Sequence, residues 1–254
     1  MTTPVRYVEQ VMGMPISLAL RGRWAGTPVA DRAWGRVVDS LRAVDAVFST
    51  YRSDSWVSRL GRGEVTVQEC PAMVGEVLVL AEQARLESGG AFDVWSAGSE
   101  EAGGLDPSGV VKGWAVQRAV AELDVLEDTD VCLSAGGDLV CVTRRPDADP
   151  WRIGIEDPHD PSRVIAVVPV LDGGVATSGL AHRGAHIVDP RTGRTPSELA
   201  SITVVGDDLT WADIDATAAF VMGASGIDWL TARGRTGVAV LADGSARTFA
   251  PTDR

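Results

Sequence analysis

Alternating and helix-spaced hydrophobic residues divide the chain into interspersed strands and helices. Two early strands are predicted over 5–12 and 14–21, where Ile16, Leu18 and Leu20 alternate with small residues. The same type of pattern predicts further strands over 131–142 with a bend at 135–138, and over 151–156, 164–171, 200–205, 238–241 and 246–249.

Helices are predicted where apolar residues recur every three or four positions. The first follows Thr27-Pro28, an N-cap with proline at the first helical position, and its apolar face runs from Trp34 to Phe48. Further helices are predicted from Pro71 to 88–90, after the polar residues at 106–109, from Thr210 to Gly223, and around Trp229.

The order of these elements predicts the fold class. Strands and helices follow each other without a regular β-α-β rhythm, and tight turns join several strand pairs. This arrangement favours an α+β fold with mainly antiparallel sheets over a doubly wound fold. Because the 254 residues contain no internal repeat or clear linker, we expect a single domain over 1–254.

Composition and charge limit the classes of molecule that the protein is expected to bind. The net charge of −12 disfavours nucleic acids and anionic membranes, and it means that a phosphate ligand needs a metal ion or backbone N–H groups to offset repulsion. No apolar run approaches the roughly 20 residues of a membrane span, so membrane insertion is not expected. The N-terminal residues lack a signal-peptide pattern, which predicts a cytoplasmic location.

The stretch 186–193 carries the densest set of chemical groups. It places the imidazole of His186, the carboxylate of Asp189 and the guanidinium of Arg191 within eight residues. Pro190 and Gly193 predict a tight loop, whose polar groups we expect at the wall of a cleft. The alternative is a surface turn in which His186 is only a half-buried filler.

The predicted helix after Thr210 carries a possible metal site. Asp213 and Thr217 lie one turn apart on one face, and their oxygens are the hard donors that Mg²⁺ prefers. The alternative, which is locally the commoner, is a capping box in which Thr210 and Asp213 only satisfy helix N–H groups. Asp215 faces another direction and is expected to be solvated.

Three glycine-bearing loops, at 88–93, 108–109 and 135–138, could each hold an anion. Their backbone N–H groups can approach a ligand closely, and the helix after 106–109 adds a favourable dipole. Lys112 could reach a phosphate from that helix. The alternatives are ordinary turns and a solvated lysine.

The chain contains seven short motifs whose order along the sequence resembles that of the ApbE family, the FAD:protein FMN transferases. The most specific are His-Ile-Val-Asp-Pro-Arg-Thr-Gly at 186–193 and Ser-Gly-Gly-Ala-Phe-Asp at 88–93. The resemblance runs from about residue 12 to residue 220, with the other motifs at 48–55, 106–115, 134–138, 176–179 and 212–217.

The resemblance implies a single α+β catalytic domain with FAD in a cleft and Mg²⁺ at the FAD pyrophosphate. Members of the family transfer FMN from FAD to a Ser or Thr hydroxyl of an acceptor flavoprotein and release AMP. Some members instead hydrolyse FAD to FMN and AMP. An FAD pyrophosphatase and a flavin-binding protein without catalysis therefore remain as alternatives.

The resemblance also implies site residues. His186 falls at the family's proposed base. Asp213 and Thr217 would bind the metal through their side chains, and Val111 and Ala216 through their backbone carbonyls. The implied FAD contacts are Met12, Tyr51, Ala91, Phe92, Asp93, Asp106, Ser108, Lys112 and Ile187.

The sequence departs from the family pattern at a few positions. Met14 stands where the family usually has threonine, and Val111 replaces a common alanine. The segments 96–106 and 178–186 are shorter than usual, and both would border the cleft.

Overall fold

The computed structural model of the chain describes residues 3–95, 104–180 and 187–251. His186 and all of the predicted loop at 97–104 except Gly104 therefore lie outside the described residues. The helices are α1 (Pro28–Phe48), α2 (Trp56–Gly61), α3 (Ala72–Glu87), α4 (Ser108–Ala119), α5 (Leu209–Met222) and α6 (Ala224–Ala232). The strands are β1 (Val5–Val11), β2 (Met14–Gly22), β3 (Thr129–Ala135), β4 (Asp138–Val142), β5 (Trp151–Asp157), β6 (Asp160–Val170), β7 (Gly173–Gly179), β8 (Leu199–Gly206), β9 (Thr236–Leu241) and β10 (Ala246–Phe249).

Eight of the strands form one sheet in the order β1-β2-β3-β4-β7-β8-β9-β10, and every neighbouring pair is antiparallel. Strands β5 and β6 leave this sheet after β4 and pair with each other as a separate hairpin. The predicted α+β fold with mainly antiparallel sheets is confirmed. Within the described ranges, no helix combines the length and the apolarity that crossing a membrane requires.

Strand β2 has buried side chains on both faces of the main sheet. Ile16, Leu18 and Leu20 are fully buried in the main core, which the helices cover. Ala19 points the other way and packs in a second, smaller core with Trp151 of the β5–β6 hairpin. The alternation predicted for this strand therefore fills two cores, since successive side chains in a strand point to opposite faces.

Helix α1 follows its predicted signals closely. The hydroxyl of Thr27 accepts a hydrogen bond from the Ala30 N–H, as an N-cap does. Val37, Leu41 and Val44 form the buried stripe that attaches the helix to the main core. The three- and four-residue spacing of these side chains is what the hydrophobic pattern predicts.

Strand β7 was not predicted, because its glycines and hydroxyl residues break the usual apolar alternation of a strand. Gly174 is nevertheless required there. A Cβ atom at this position would lie 2.4 Å from the Cα of Leu209, the first residue of α5. The missing side chain lets α5 pack directly on the sheet, and this contact fixes the start of the helix beside β7.

Helix α5 is not capped by the box of Thr210 and Asp213 that the sequence offered as an alternative. The N-cap is Asp208, whose carboxylate accepts a hydrogen bond of 3.1 Å from the Trp211 N–H. Asp213 instead accepts a hydrogen bond of 3.0 Å from the Gly113 N–H of α4. The capping interpretation of Thr210 and Asp213 is wrong, because Asp208 already caps the helix and Asp213 points towards α4.

Asp215 is also placed differently from the prediction. It is completely buried rather than solvated, and its carboxylate forms ion pairs with Arg235 at 2.7 Å and Arg233 at 3.2 Å. Both arginines come from the segment that follows α6. Sequence spacing within α5 could not reveal partners that lie 18 and 20 residues further along the chain.

The capping contact of α5 provides a first prediction. We expect Asp208→Ala to lower the free energy of unfolding by about 0.5–2 kcal/mol, the usual cost of losing an N-cap side chain. Chemical denaturation measures this change, with Thr210→Val as the matched control in the same turn. An unchanged unfolding free energy in Asp208→Ala would contradict the assignment of the cap.

Candidate active site

A cavity of about 720 Å³ lies between the main sheet, the β5–β6 hairpin and the first turns of α4 and α5. Its size falls in the range of sites that enclose a whole cofactor-sized ligand. One part of its wall is polar and includes Asp106, Lys112 and Asp213. Another part is largely apolar and is lined by Met14, Pro15, Ile153, Ile155 and Val175.

An ion cluster forms the polar wall. The Nζ of Lys112 lies 2.5 Å from Oδ2 of Asp138 and 3.2 Å from Oδ1 of Asp213. The side chains of both aspartates are 2% exposed, while that of Lys112 is 22% exposed and reaches the cavity. The cluster holds two carboxylates and one ammonium, so its net charge is −1 when all three groups are ionised.

Burial and mutual contact shift the pKa values in this cluster. Burial raises the pKa of Asp213, and the nearby Asp138 carboxylate raises it further, while the Lys112 ammonium opposes both effects. Burial lowers the pKa of Lys112, but the Asp138 and Asp213 carboxylates outweigh it and hold that pKa above its usual range. Lys112 therefore stays charged, and the alternative of a solvated lysine is wrong, because its ammonium pairs with two buried carboxylates.

Helix α5 presents a second oxygen donor one turn after Asp213. Thr217 lines the cavity, and its hydroxyl lies 3.1 Å from the hydroxyl of Ser178 on β7. Asp213 and Thr217 therefore face the same cavity, as their spacing predicts. Both side chains are held from outside the helix, Asp213 by the Gly113 N–H and Thr217 by Ser178.

Close packing of α4 on α5 brings Lys112 and Asp213 together. A Cβ atom at Gly113 would lie 2.8 Å from the carbonyl oxygen of Leu209 and 2.9 Å from the Cβ of Asp213. Only glycine fits between the two helices at this point. Gly113 thus sets the separation of α4 and α5, and with it the distance between the Lys112 ammonium and the Asp213 carboxylate.

The beginning of α4 meets the glycine loop at 88–93. Asp106 accepts a hydrogen bond of 2.9 Å from the Ser108 N–H and another from the Ser108 hydroxyl, which satisfies the N–H of the first residue of α4, while the N-cap is Pro107 and has no capping side chain. The Phe92 N–H donates to the Ser88 hydroxyl at 3.0 Å, and the Phe92 ring packs against Gly109. These contacts bring two of the three predicted anion loops, 88–93 and 108–109, to one side of the cavity.

The loop after Ile187 is tight, as predicted. Asp189 and Arg194 close it by a backbone bridge, and Gly193 has a φ of +70°. Ile187, Val188 and Pro190 line the cavity. Asp189 instead pairs with Arg191 at 2.9 Å, and this pairing lowers the pKa of the Asp189 carboxyl.

The structure brings most of the predicted site residues together around this cavity. Those that line it are Ala91, Phe92, Asp93, Asp106, Ser108, Lys112, Ile187, Asp213 and Thr217. Met12 lies in the β1–β2 turn and Tyr51 is 96% exposed, and neither lines the cavity. Val111 and Ala216 are buried beside the lining residues of α4 and α5, while His186 lies outside the described residues.

Several lining residues were not predicted as part of the site. Asp138 ends the motif at 134–138, for which the sequence predicts a turn or an anion site made of backbone N–H groups and no role for the Asp138 side chain. Ser178 lies on the unpredicted strand β7. The hairpin residues Ile153 and Ile155 carry no signal of their own, because their alternation is that of any half-buried strand.

The oxygen donors on α5 fit a hard cation such as Mg²⁺. Among the described residues, no group of three or more His, Cys, Asp and Glu side chains converges. A metal ion at Asp213 would therefore need hydroxyl and backbone carbonyl oxygens as further ligands. Thr217 provides such a hydroxyl on the same face, and Mg²⁺ accepts this donor type together with water and phosphate oxygens.

These features define an α+β protein with a cofactor-sized cleft between one large antiparallel sheet, the β5–β6 hairpin and the helices α4 and α5. The sequence profile described as the ApbE family matches residues 96–242, more than half of the chain. The chain belongs to the ApbE family, which confirms the resemblance found from its motifs.

Relatives of known name share this sequence pattern. A protein of Haemophilus influenzae named FAD:protein FMN transferase is 25% identical over 257 residues, which span 78% of this chain and 74% of that protein. A Rhodobacter capsulatus protein of the same name is 35% identical over 142 residues, which span 53% of this chain and 27% of that protein.

Solved structures share the fold. The ApbE protein of Thermotoga maritima superposes with a TM-score of 0.83 at 21% identity, covering 97% of each chain. The flavin transferase ApbE of Vibrio cholerae superposes with a TM-score of 0.82 at 23% identity, covering 98% of this chain and 97% of that one.

Proposed function

We propose that the protein is a Mg²⁺-dependent FAD:protein FMN transferase that attaches FMN to a Ser or Thr hydroxyl of an acceptor flavoprotein and releases AMP. The observation that carries the proposal is that Lys112, Asp213 and Thr217 lie together on the wall of a cofactor-sized cavity. Family membership and the names of the relatives support flavin transfer as the reaction.

The two parts of the cavity wall suit the two kinds of surface on FAD. The isoalloxazine and adenine rings are flat and largely apolar, while the pyrophosphate between them is anionic. Ile153, Ile155 and Val175 offer apolar contacts for a ring. Lys112 and the N-terminus of α4 offer positive charge and backbone N–H groups for the pyrophosphate.

Asp213 and Thr217 would hold the metal ion through their side chains. Val111 and Ala216 would add backbone carbonyls, as the family resemblance implies. When bound, Mg²⁺ would neutralise charge on the pyrophosphate, a need that is acute in a protein of net charge −12. A cation would also relieve the net negative charge of the cluster formed by Lys112, Asp138 and Asp213.

The reaction displaces AMP from the phosphorus atom of the FMN half. The acceptor hydroxyl oxygen forms a new P–O bond, and the bond from that phosphorus to the bridging oxygen breaks, so that oxygen leaves with AMP. His186, the base implied by the resemblance, would accept the proton of the hydroxyl. Lys112 would hold the pyrophosphate in place, since positioning and charge neutralisation provide most of the catalysis in such transfers.

Incubation with FAD, Mg²⁺ and purified flavoproteins tests the transferase reaction. We expect a mass increase equal to FMN on an acceptor, with one AMP released per FMN attached. Substitution of the modified Ser or Thr by Ala in the acceptor should abolish the label. Free FMN and AMP without any labelled acceptor, across flavoproteins of several families, would make the protein an FAD pyrophosphatase instead.

The ligand preference gives a second prediction. We expect FAD to bind at least about tenfold more tightly than riboflavin, because one charge-assisted hydrogen bond from Lys112 to the pyrophosphate contributes roughly 1.5–3 kcal/mol. Quenching of flavin fluorescence measures both affinities. Lys112→Met should weaken FAD and leave riboflavin unchanged, whereas equal affinities in the wild-type protein would contradict the placement of the pyrophosphate.

A further inference from the structure

Asp138 is a buried carboxylate on the cavity wall that the proposed reaction does not yet use. It is the first residue of β4 and is 1% exposed. Its Oδ1 accepts a hydrogen bond of 2.9 Å from the Thr177 N–H of β7, which ties it to the neighbouring strand. Its Oδ2 lies 2.5 Å from the Nζ of Lys112.

Lys112 thus has two anionic partners, and they have different roles. Asp213 lies on α5 with Thr217 and is the carboxylate expected to bind the metal ion. Asp138 lies on the sheet, opposite α5, and is the nearer partner at 2.5 Å against 3.2 Å for Asp213. Lys112 contacts Oδ1 of Asp213 and the Gly113 N–H donates to Oδ2, so a metal ion at Asp213 would compete with the ammonium for Oδ1, and the two cations would repel each other.

We infer that Asp138 is a positioning residue that retains the Lys112 ammonium when a divalent cation takes the Asp213 carboxylate. This inference rests on the proposed metal site at Asp213 and Thr217. With Asp138 present, Lys112 keeps an anionic partner and stays beside the pyrophosphate. Without that charge, the ammonium pairs with Asp213 alone and competes with the metal ion.

The two oxygens of Asp138 allow its charge to be separated from its structural contact. Asp138→Asn keeps an oxygen that can accept the Thr177 N–H, but it removes the negative charge that faces Lys112. A structural role in joining β4 to β7 depends mainly on the first contact. The positioning role depends on the second, so the asparagine variant tests it specifically.

Titration calorimetry with MgCl₂ in the absence of FAD measures the effect without relying on turnover. We expect Asp138→Asn to weaken Mg²⁺ binding by about 10- to 100-fold, the range found for residues that orient metal ligands. Lys112→Met should tighten Mg²⁺ binding relative to the wild-type protein, because it removes the competing cation. The double variant Asp138→Asn with Lys112→Met should regain an affinity within about threefold of the wild-type value, since both members of the pair are then neutral.

Asp130→Asn is the matched control. Asp130 is also a fully buried carboxylate at the sheet, it pairs with Arg145 at 2.7 Å, and it does not line the cavity. Its substitution should lower the melting temperature and leave the Mg²⁺ affinity unchanged. This control separates a general loss of stability from an effect at the metal site.

The outcomes distinguish the inference from the proposed function. Mg²⁺ binding that is equal in Asp138→Asn and the wild-type protein would overturn the role of Asp138 and leave the metal site intact. A double variant that binds more weakly than Asp138→Asn would also overturn it, since the loss would not act through Lys112. If Asp138→Asn fails to fold, unchanged or weaker Mg²⁺ binding by Lys112→Met overturns the inference. Absence of Mg²⁺ binding by the wild-type protein, with and without FAD, would remove the metal site and the inference together.

Discussion

Substitution of Asp213 by Ala should abolish Mg²⁺-dependent turnover of FAD and leave a folded protein. The expected loss is at least 100-fold, because changes to groups that only orient metal ligands already cost about 10–100-fold in affinity or activity. Asp213 lines the cavity beside Thr217, and its Oδ2 is fixed by the Gly113 N–H. The variant leaves the buried Gly113 N–H without its acceptor, which should cost about 1–3 kcal/mol, but Lys112 keeps Asp138 as an anionic partner, so the protein should still fold.

The turnover and melting temperature of Asp213→Ala are measured together with those of Asp213→Asn and Asp208→Ala. Asp208 lies on the same helix and caps its start, so its substitution should lower stability but keep Mg²⁺-dependent activity. The aspartates 208 and 213 are thus expected to show opposite effects. Substantial Mg²⁺-dependent activity in Asp213→Ala would contradict its role as a metal ligand.

Substitution of His186 by Ala should slow FMN transfer by roughly 10²–10⁴-fold and leave FAD and Mg²⁺ binding intact. This range is the usual contribution of a general base. In the wild-type protein the transfer rate should rise with pH as the imidazole loses its proton, and this rise should be absent from the variant. His186 immediately precedes Ile187, which lines the cavity.

Transfer and hydrolysis should respond differently to this substitution. Water is small and tolerates poorer positioning than a protein hydroxyl, so the hydrolysis of FAD should fall less than transfer. Pre-steady-state rates of acceptor labelling and AMP release, measured across a pH series, separate the two reactions. Equal losses of both rates together with a lower melting temperature would show that His186 acts only through the stability of the loop.

The fold was predictable where local pattern and tertiary structure agree. The alternation in β2 and the apolar stripe of α1 each report burial directly, and both elements lie where predicted. Strand β7 was missed because Gly174 serves the packing of α5 on the sheet, and this requirement replaces the apolar alternation of a strand. The sequence alone does not identify the cap of α5, because Asp208, Thr210 and Asp213 are all residues that commonly cap helices.

The site was predictable to the extent that its groups lie close together in the sequence. Spacing within one helix placed Asp213 and Thr217 on the same face, and the structure brings both to the cavity. The pairing of Lys112 with Asp138 was not predictable, because 26 positions separate them and only the packing of α4 against the sheet brings them together. Buried ion pairs of this kind depend on tertiary contacts, and no local pattern reports them.

The most direct test of the proposed chemistry is AMP release from FAD by the wild-type protein, with a purified flavoprotein acceptor, in Mg²⁺ and in EDTA. Chromatography quantifies AMP, and mass spectrometry quantifies FMN on the acceptor. We predict AMP release that requires Mg²⁺, is matched by FMN bound to the acceptor, and is lost in Asp213→Ala. FAD that stays intact in Mg²⁺ with every acceptor, although it binds in the cavity, would contradict an enzymatic role and leave a flavin-binding protein.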